Sequence, residues 1–190
     1  MAIHPNLSKL NYAALREVLV AAEILVSYDK TSDAKTWGTD AGCLGYPAAI
    51  LLFAYIESVG CIYVNRGNGN SFKVLREPLF ESQGISERLC TMLYETYRNK
   101  MVHNIALPQN AYLKIDKTDP TPFTFSASND EITAVNLHAL LLLCQRSFQN
   151  LQTTFDEKFA ESDPMKYVSY KNLSKSTPPS ASTSPSGHCS

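Results

Sequence analysis

The sequence predicts an all-α fold: a four-to-five-helix bundle with a small β-hairpin insertion before the last long helix. Three observations carry this expectation. Apolar residues recur at three- and four-residue steps through four long stretches, the connections are short, and one segment, 109–130, changes to strand-like residue types. At 190 residues the chain has the length of one domain. The bundle is expected over residues 1–162. A Ser/Pro-rich tail follows over 163–190, where little can be buried and disorder is expected.

The elements follow in order. Between Asn11 and Ser27, Leu15, Leu19, Ala22 and Val26 fall on one helical face. Thr, Ser, Asp and Gly then break any period from Asp29 to Gly45, which reads as a loop. Pro47 suits a first helical turn, and Ala48 to Val64 is apolar on nearly every face, the mark of a central helix. Arg66-Gly67-Asn68-Gly69-Asn70 ends that helix. With no strand before it and no Gly-Lys-Ser or Gly-Lys-Thr after it, this run is no phosphate cradle.

Past a short segment with Pro78 and Gly84, Ser86 is placed to cap a third helix running to about His103. Leu89, Leu93 and Thr96 form one stripe, with Cys90, Tyr94, Tyr97 and Met101 beside it, and Pro108 closes the element. Tyr112-Leu113-Lys114-Ile115 and Phe123-Thr124-Phe125 read as a hairpin joined across Asp119-Pro120-Thr121-Pro122. Asn136 is the expected cap of the last helix, where Leu137, Leu140, Leu141, Cys144, Phe148, Leu151, Phe155 and Phe159 sustain the rhythm for about six turns.

Composition narrows function. Hydrophobic residues make up 44% and charged residues 18%, against roughly 25% charged in an average domain, so the surface is short of charge. Burying an apolar patch against a second copy answers that deficit, and a homodimer is expected. The net charge of -1 excludes a protein that holds nucleic acid by bulk positive charge, leaving only local contact. Neither a secretory leader nor an apolar run approaching the ~20 residues of a membrane span is read, the longest being Ala48 to Ile56 and Ala139 to Cys144. A cytoplasmic protein with no membrane partner is therefore expected. Cys43, Cys61, Cys90, Cys144 and Cys189 are scattered, without a C-x-x-C pair, so reduced thiols are expected, with no metal and no cofactor.

Of the histidines, His4 and His188 lie in terminal segments and His138 starts the last helix. His103 keeps different company: Arg98, Asn99, Lys100, His103 and Asn104 put a permanent cation, an amide and an imidazole within about two turns. Glu57, inside the apolar central helix, needs either a cation, with Arg98 the candidate, or a route to the surface.

Arg98-Asn99-x-x-x-His103 resembles the R-N-x-x-x-H signature of HEPN domains. The resemblance covers residues 7 to 160. It implies a small helical bundle, commonly homodimeric, and a metal-independent endoribonuclease of the kind found in toxin-antitoxin, phage-defence and RNA-processing systems. By the same resemblance Arg98 and His103 are catalytic, Asn99 assists, and an acidic residue of an earlier helix, here Glu57, holds the motif. Lys100 and Asn104 are rim contacts. Some family toxins carry a Tyr two residues after the motif His, modified by a partner nucleotidyltransferase. That place is Ile105 here, so regulation by that route is not expected.

Five residues at about 100° each set Arg98 and His103 roughly 140° apart on an ideal helix. A distorted helix end, a long Arg side chain reaching round, or two copies meeting at a two-fold axis would reunite them. The expected reaction is attack of an RNA 2′-OH on its own phosphate, RNA being the partner, with an antitoxin or regulatory protein as a further one. The alternative is a non-catalytic dimeric helical module that binds a protein or nucleotide.

Overall fold

The computed structural model describes residues 5–37, 42–64, 71–104, 106–107, 109, 111–128 and 131–161. His4, the whole glycine-rich run Arg66-Gly67-Asn68-Gly69-Asn70, Ile105, Pro108 and the expected tail, with His188 and Cys189, lie outside them.

The described chain is mainly helical with one small sheet. Its elements are α1 (Pro5–Ser27), α2 (Ala34–Trp37), α3 (Gly45–Tyr63), α4 (Glu87–Met92), α5 (Asn99–Asn104), β1 (Tyr112–Lys114), β2 (Phe123–Phe125), β3 (Ile132–Asn136), α6 (Leu137–Leu151) and α7 (Phe155–Glu161). Short 3-10 turns occupy Lys30–Asp33, Ser71–Arg76 and Pro78–Phe80, and a π-helical turn, Leu93–Arg98, joins α4 to α5.

The first helix starts at Pro5 rather than Asn11, and Leu15, Leu19, Ala22 and Val26 are its buried face as the spacing predicts. The stretch read as a loop contains a 3-10 turn and α2. Asp29 starts that turn by accepting the Thr31 N–H at 2.9 Å and the Thr31 hydroxyl at 2.6 Å.

Helix α3 runs through the core, against α1, α6, α7 and the Ser71–Arg76 turn. At 19 residues it is longer than its uninterrupted apolar run, and by length and composition alone it is long enough to cross a membrane. The Ser71–Arg76 turn passes Gly60 so closely that a Cβ there would overlap the Ser71 carbonyl. Phe72, Val74, Leu75, Leu79 and Phe80 are all buried, so the segment read as a short connection is a wedge of core. The Tyr55 hydroxyl and Ser147 Oγ, 3.0 Å apart, tie α3 to α6 in the interior, where burial pushes the Tyr55 phenol up.

The expected hairpin is replaced by a three-stranded sheet in the order β1-β3-β2. Strand β3, which the sequence reading passed over, lies between the other two, parallel to β1 (Leu113 opposite Val135) and antiparallel to β2 (Phe123 opposite Val135). The residues between β1 and β2 form consecutive side-chain turns, Asp116 accepting the Thr118 N–H and Asp119 the Thr121 N–H, so they cannot close a tight hairpin.

Asn136 does stand at the start of α6, yet its side chain caps nothing. Fully buried, it donates to the Asp116 and Asp119 carbonyls at 2.9 and 2.8 Å and accepts the Asp116 N–H at 3.1 Å. The last helix breaks at 152–154 into α6 and α7. Phe155 and Phe159 still reach the core from the second piece, and Tyr12 of α1 stacks on Phe148 at 4.6 Å and meets Phe155 edge-on at 5.1 Å.

Candidate functional site

The helix that carries the motif begins as expected, with Ser86 Oγ accepting the Leu89 N–H at 3.2 Å. Its buried stripe is Leu89, Leu93, Tyr97 and Met101, at 4%, 0%, 1% and 0% exposure, and Tyr97 takes the place assigned to Thr96. In a regular α-helix each four-residue step drifts by about 40°, so a stripe of three such steps would wander off the core. The π turn Leu93–Arg98 removes the drift by widening one turn. Its i→i+5 hydrogen bond, from the Asn99 N–H to the Tyr94 carbonyl, falls on the motif itself. Tyr97 is anchored by donating its hydroxyl to the Ile132 carbonyl of β3.

With Tyr97 turned inward, Arg98 is aimed at α3. Arg98 Nε donates to Glu57 Oε2 at 2.8 Å and Nη1 donates to Asn99 Oδ1 at 3.0 Å. The guanidinium lies over the Tyr94 ring at 5.7 Å, and that ring meets Phe72 edge-on at 5.8 Å. Side-chain exposures of 26% for Arg98 and 22% for Glu57 make this a partly buried pair open on one side. Of the five N–H groups of a guanidinium, two are used here and three have no partner among the described residues.

Sequence reasoning named Glu57 as the partner and missed Tyr94. Its signal was the four-residue interval to Arg98, which sets an aromatic face under a cation once the intervening turn is helical.

Beyond Arg98 the backbone returns to α-helix, so the angular separation from His103 persists. Met101 points into the core, whereas Lys100, His103 and Asn104 are exposed. The His103 side chain makes no hydrogen bond or ion pair with another described residue, and Arg98 is engaged by Glu57 and Asn99 instead. Within one chain the structure thus joins Glu57, Arg98, Asn99 and Tyr94 and leaves the imidazole apart. His138 is half-buried in the first turn of α6.

Among the described residues no group of three His, Cys, Asp or Glu side chains is placed to hold a metal ion. Cys43, Cys61, Cys90 and Cys144 are free thiols, and burial pushes Cys90 up to about 11. The stretch from 29 to 45 and the strand region meet around a surface cleft of about 620 Å³ that Lys30, Tyr46, Leu107, Tyr112 and Lys114 help to line. No family model, curated protein or solved structure matches this chain.

Proposed function

We propose that this chain is a HEPN-like, metal-independent endoribonuclease, built on that family's four-to-five-helix bundle and acting as a cytoplasmic homodimer. The supporting observation is the Arg98 guanidinium, fixed by Glu57, Asn99 and Tyr94 with three N–H groups left over among the described residues, five residues before an exposed imidazole. Such a held cation suits a phosphate, because the cost of orienting it is met before the substrate arrives.

In the proposed reaction His103 takes the proton of the RNA 2′-OH. The oxygen attacks the adjacent phosphorus, the bond from phosphorus to the 5′-oxygen breaks, and a protonated His103 returns a proton to the leaving oxygen. The products are a 2′,3′-cyclic phosphate and a 5′-OH strand. Arg98 stabilises charge on the non-bridging oxygens, Asn99 orients Arg98, and Lys100 and Asn104 contact the substrate at the rim. Since Arg98 and His103 lie apart in one chain, two copies pool them across a two-fold axis. A toxin or phage-defence role, with an antitoxin or regulatory protein as partner, belongs to this proposal.

The test is incubation of the purified chain with RNA in EDTA beside His103→Ala and Arg98→Ala. Cleavage leaving 5′-OH ends, reduced about a hundredfold or more in each variant, is expected. Equal cleavage by all three proteins would defeat the proposal.

The engagement of Arg98 inside its own chain favours a second reading, a non-catalytic module whose motif secures α3 to α5 and binds a protein or nucleotide. It predicts no cleavage by any of the three proteins, with partner binding lost in the variants.

A further inference from the structure

The cleft of about 620 Å³ at the first turn of α3 carries aromatic rings and cations that the reaction at His103 does not use. Tyr46 and Tyr112 stand in its wall 37% and 53% exposed, and neither ring has a stacking or hydrogen-bonding partner among the described residues. Every charged side chain described in the lining is a lysine, Lys30 or Lys114. Lys114 is held much as Arg98 is: its ammonium donates to Asp119 Oδ2 at 2.8 Å and keeps two N–H groups over among the described residues. The Lys30 N–H closes on the Gly42 carbonyl at 2.9 Å, which fixes that side of the cleft.

The cleft lies at the end of the motif-bearing helix. Arg98 meets Glu57, whereas Leu107 shares the cleft with Tyr46, so between them the chain travels back along α3 to its first turn, about 16 Å at ~1.5 Å per residue. His103 stands on that path. Leu107 follows it by four residues, at most about 14 Å of extended chain. The Ala106 N–H bond to the Lys100 carbonyl, at 3.4 Å, folds the chain back and shortens the gap. An RNA strand with its reacting phosphate at His103 therefore has neighbouring nucleotides over the cleft.

Open aromatic faces set among cations suit unpaired nucleic acid, whose bases stack on the rings while ammonium groups take the phosphates between them. A duplex keeps its base faces buried in its own stack and cannot use the rings. Such local contact also agrees with a net charge of -1, which rules out binding by bulk positive charge. We infer that this cleft beds the unpaired nucleotides beside the scissile phosphate, with bases on Tyr46 and Tyr112 and phosphates on Lys30 and Lys114. The inference rests on the ribonuclease proposal for its ligand and makes single-stranded RNA, not duplex, the substrate class.

The experiment is fluorescence anisotropy of the full chain with a labelled 2′-O-methyl RNA oligonucleotide, which has no 2′-OH to react, used alone or annealed to its complement. The wild type is expected to bind the single strand about tenfold or more tighter than the duplex. Tyr46→Ala/Tyr112→Ala weakens that binding about tenfold or more, while Tyr46→Phe/Tyr112→Phe, which keeps both rings, binds as the wild type does. Lys30→Gln/Lys114→Gln lowers the slope of log Kd against log salt by about 1.4, two phosphates at ~0.7 each. Unchanged binding in the alanine pair, an equal loss in the phenylalanine pair, or equal affinity for the duplex overturns the inference. So does a preference for an acidic peptide of alternating Glu and Val, laid along the edge of β1 that no described strand pairs. The two proposals fail separately: tyrosine-dependent binding without cleavage defeats the reaction alone, and cleavage with tyrosine-independent binding defeats the cleft alone.

Discussion

Arg98 meets Glu57 across 41 residues of chain, Nε to Oε2 at 2.8 Å, and this pair ties the motif-bearing helix to the central helix α3. Its energetic weight follows from partial burial: each partner is sheltered enough that losing the other leaves a charge with few solvent contacts.

Glu57→Gln keeps the shape and removes the charge. We expect it to cost about 1–2 kcal/mol, because the charge-assisted bond becomes a neutral one beside a guanidinium that remains charged. Urea denaturation followed by circular dichroism measures this. An unaltered midpoint would show that the pair carries no stability.

Tyr97→Phe deletes the hydroxyl that reaches the Ile132 carbonyl and leaves the packing of the ring intact. A buried acceptor without its donor costs about 1–2 kcal/mol, and the denaturant slope is expected to stay the same. Amide exchange should quicken in β3 before it does in α1. Uniform change across the chain would contradict an anchoring role.

Glycine to alanine inside a helix ordinarily stabilises by about 0.5–1 kcal/mol. At Gly60 the sign reverses, since the new methyl would collide with the Ser71 carbonyl of a rigid neighbouring turn. Gly60→Ala is expected to lose about 2 kcal/mol or more as the turn is pushed away. Thermal melting checks it, and an equal or higher midpoint would refute the close approach.

The turn after β1 is expected to lower stability in acid. The Lys114 ammonium, with further bonds from Thr121, holds the Asp119 carboxyl at about 2, below its ordinary 3.8. A folded value under the unfolded one means that the contribution is complete above about pH 4 and disappears as pH falls through about 2. Asp119→Asn should therefore flatten the fall in stability between those limits. Asp116, lowered by its bonds to Thr118, keeps part of the slope. Identical acid-unfolding curves for the two proteins would exclude the role.

Much of the helical framework was legible because its signals are local. Leu15 to Val26 and Leu137 to Leu151 repeat at helical spacing, and Ser86 is a cap that acts through the residue three places on. Glu57 was legible as well, a carboxylate on an apolar helix demanding a partner. Strands β1 and β2 were legible in place, but the third strand and the pairing were not, because Asn136 looks the same in sequence whether it caps a helix or, as here, pins a distant turn through Asp116 and Asp119. The wedge at 71–80 was missed because 3-10 turns give too few residues for a period to show. The π turn left one trace, the unbroken four-residue interval from Leu89 to Met101. Reading it as an ordinary helix put Thr96 where Tyr97 belongs.

That widened turn bears on any attempt to move the motif elsewhere. A straight helical scaffold carrying Leu89 through His103 unchanged would rotate everything after Leu93 by about one residue, roughly 100°, relative to the anchors before it. The guanidinium would then swing off its acidic neighbour while the letters R-N-x-x-x-H stayed intact. A transplant that keeps the Arg98–Glu57 pair has to delete one position upstream of Arg98 or import the bulge along with the signature.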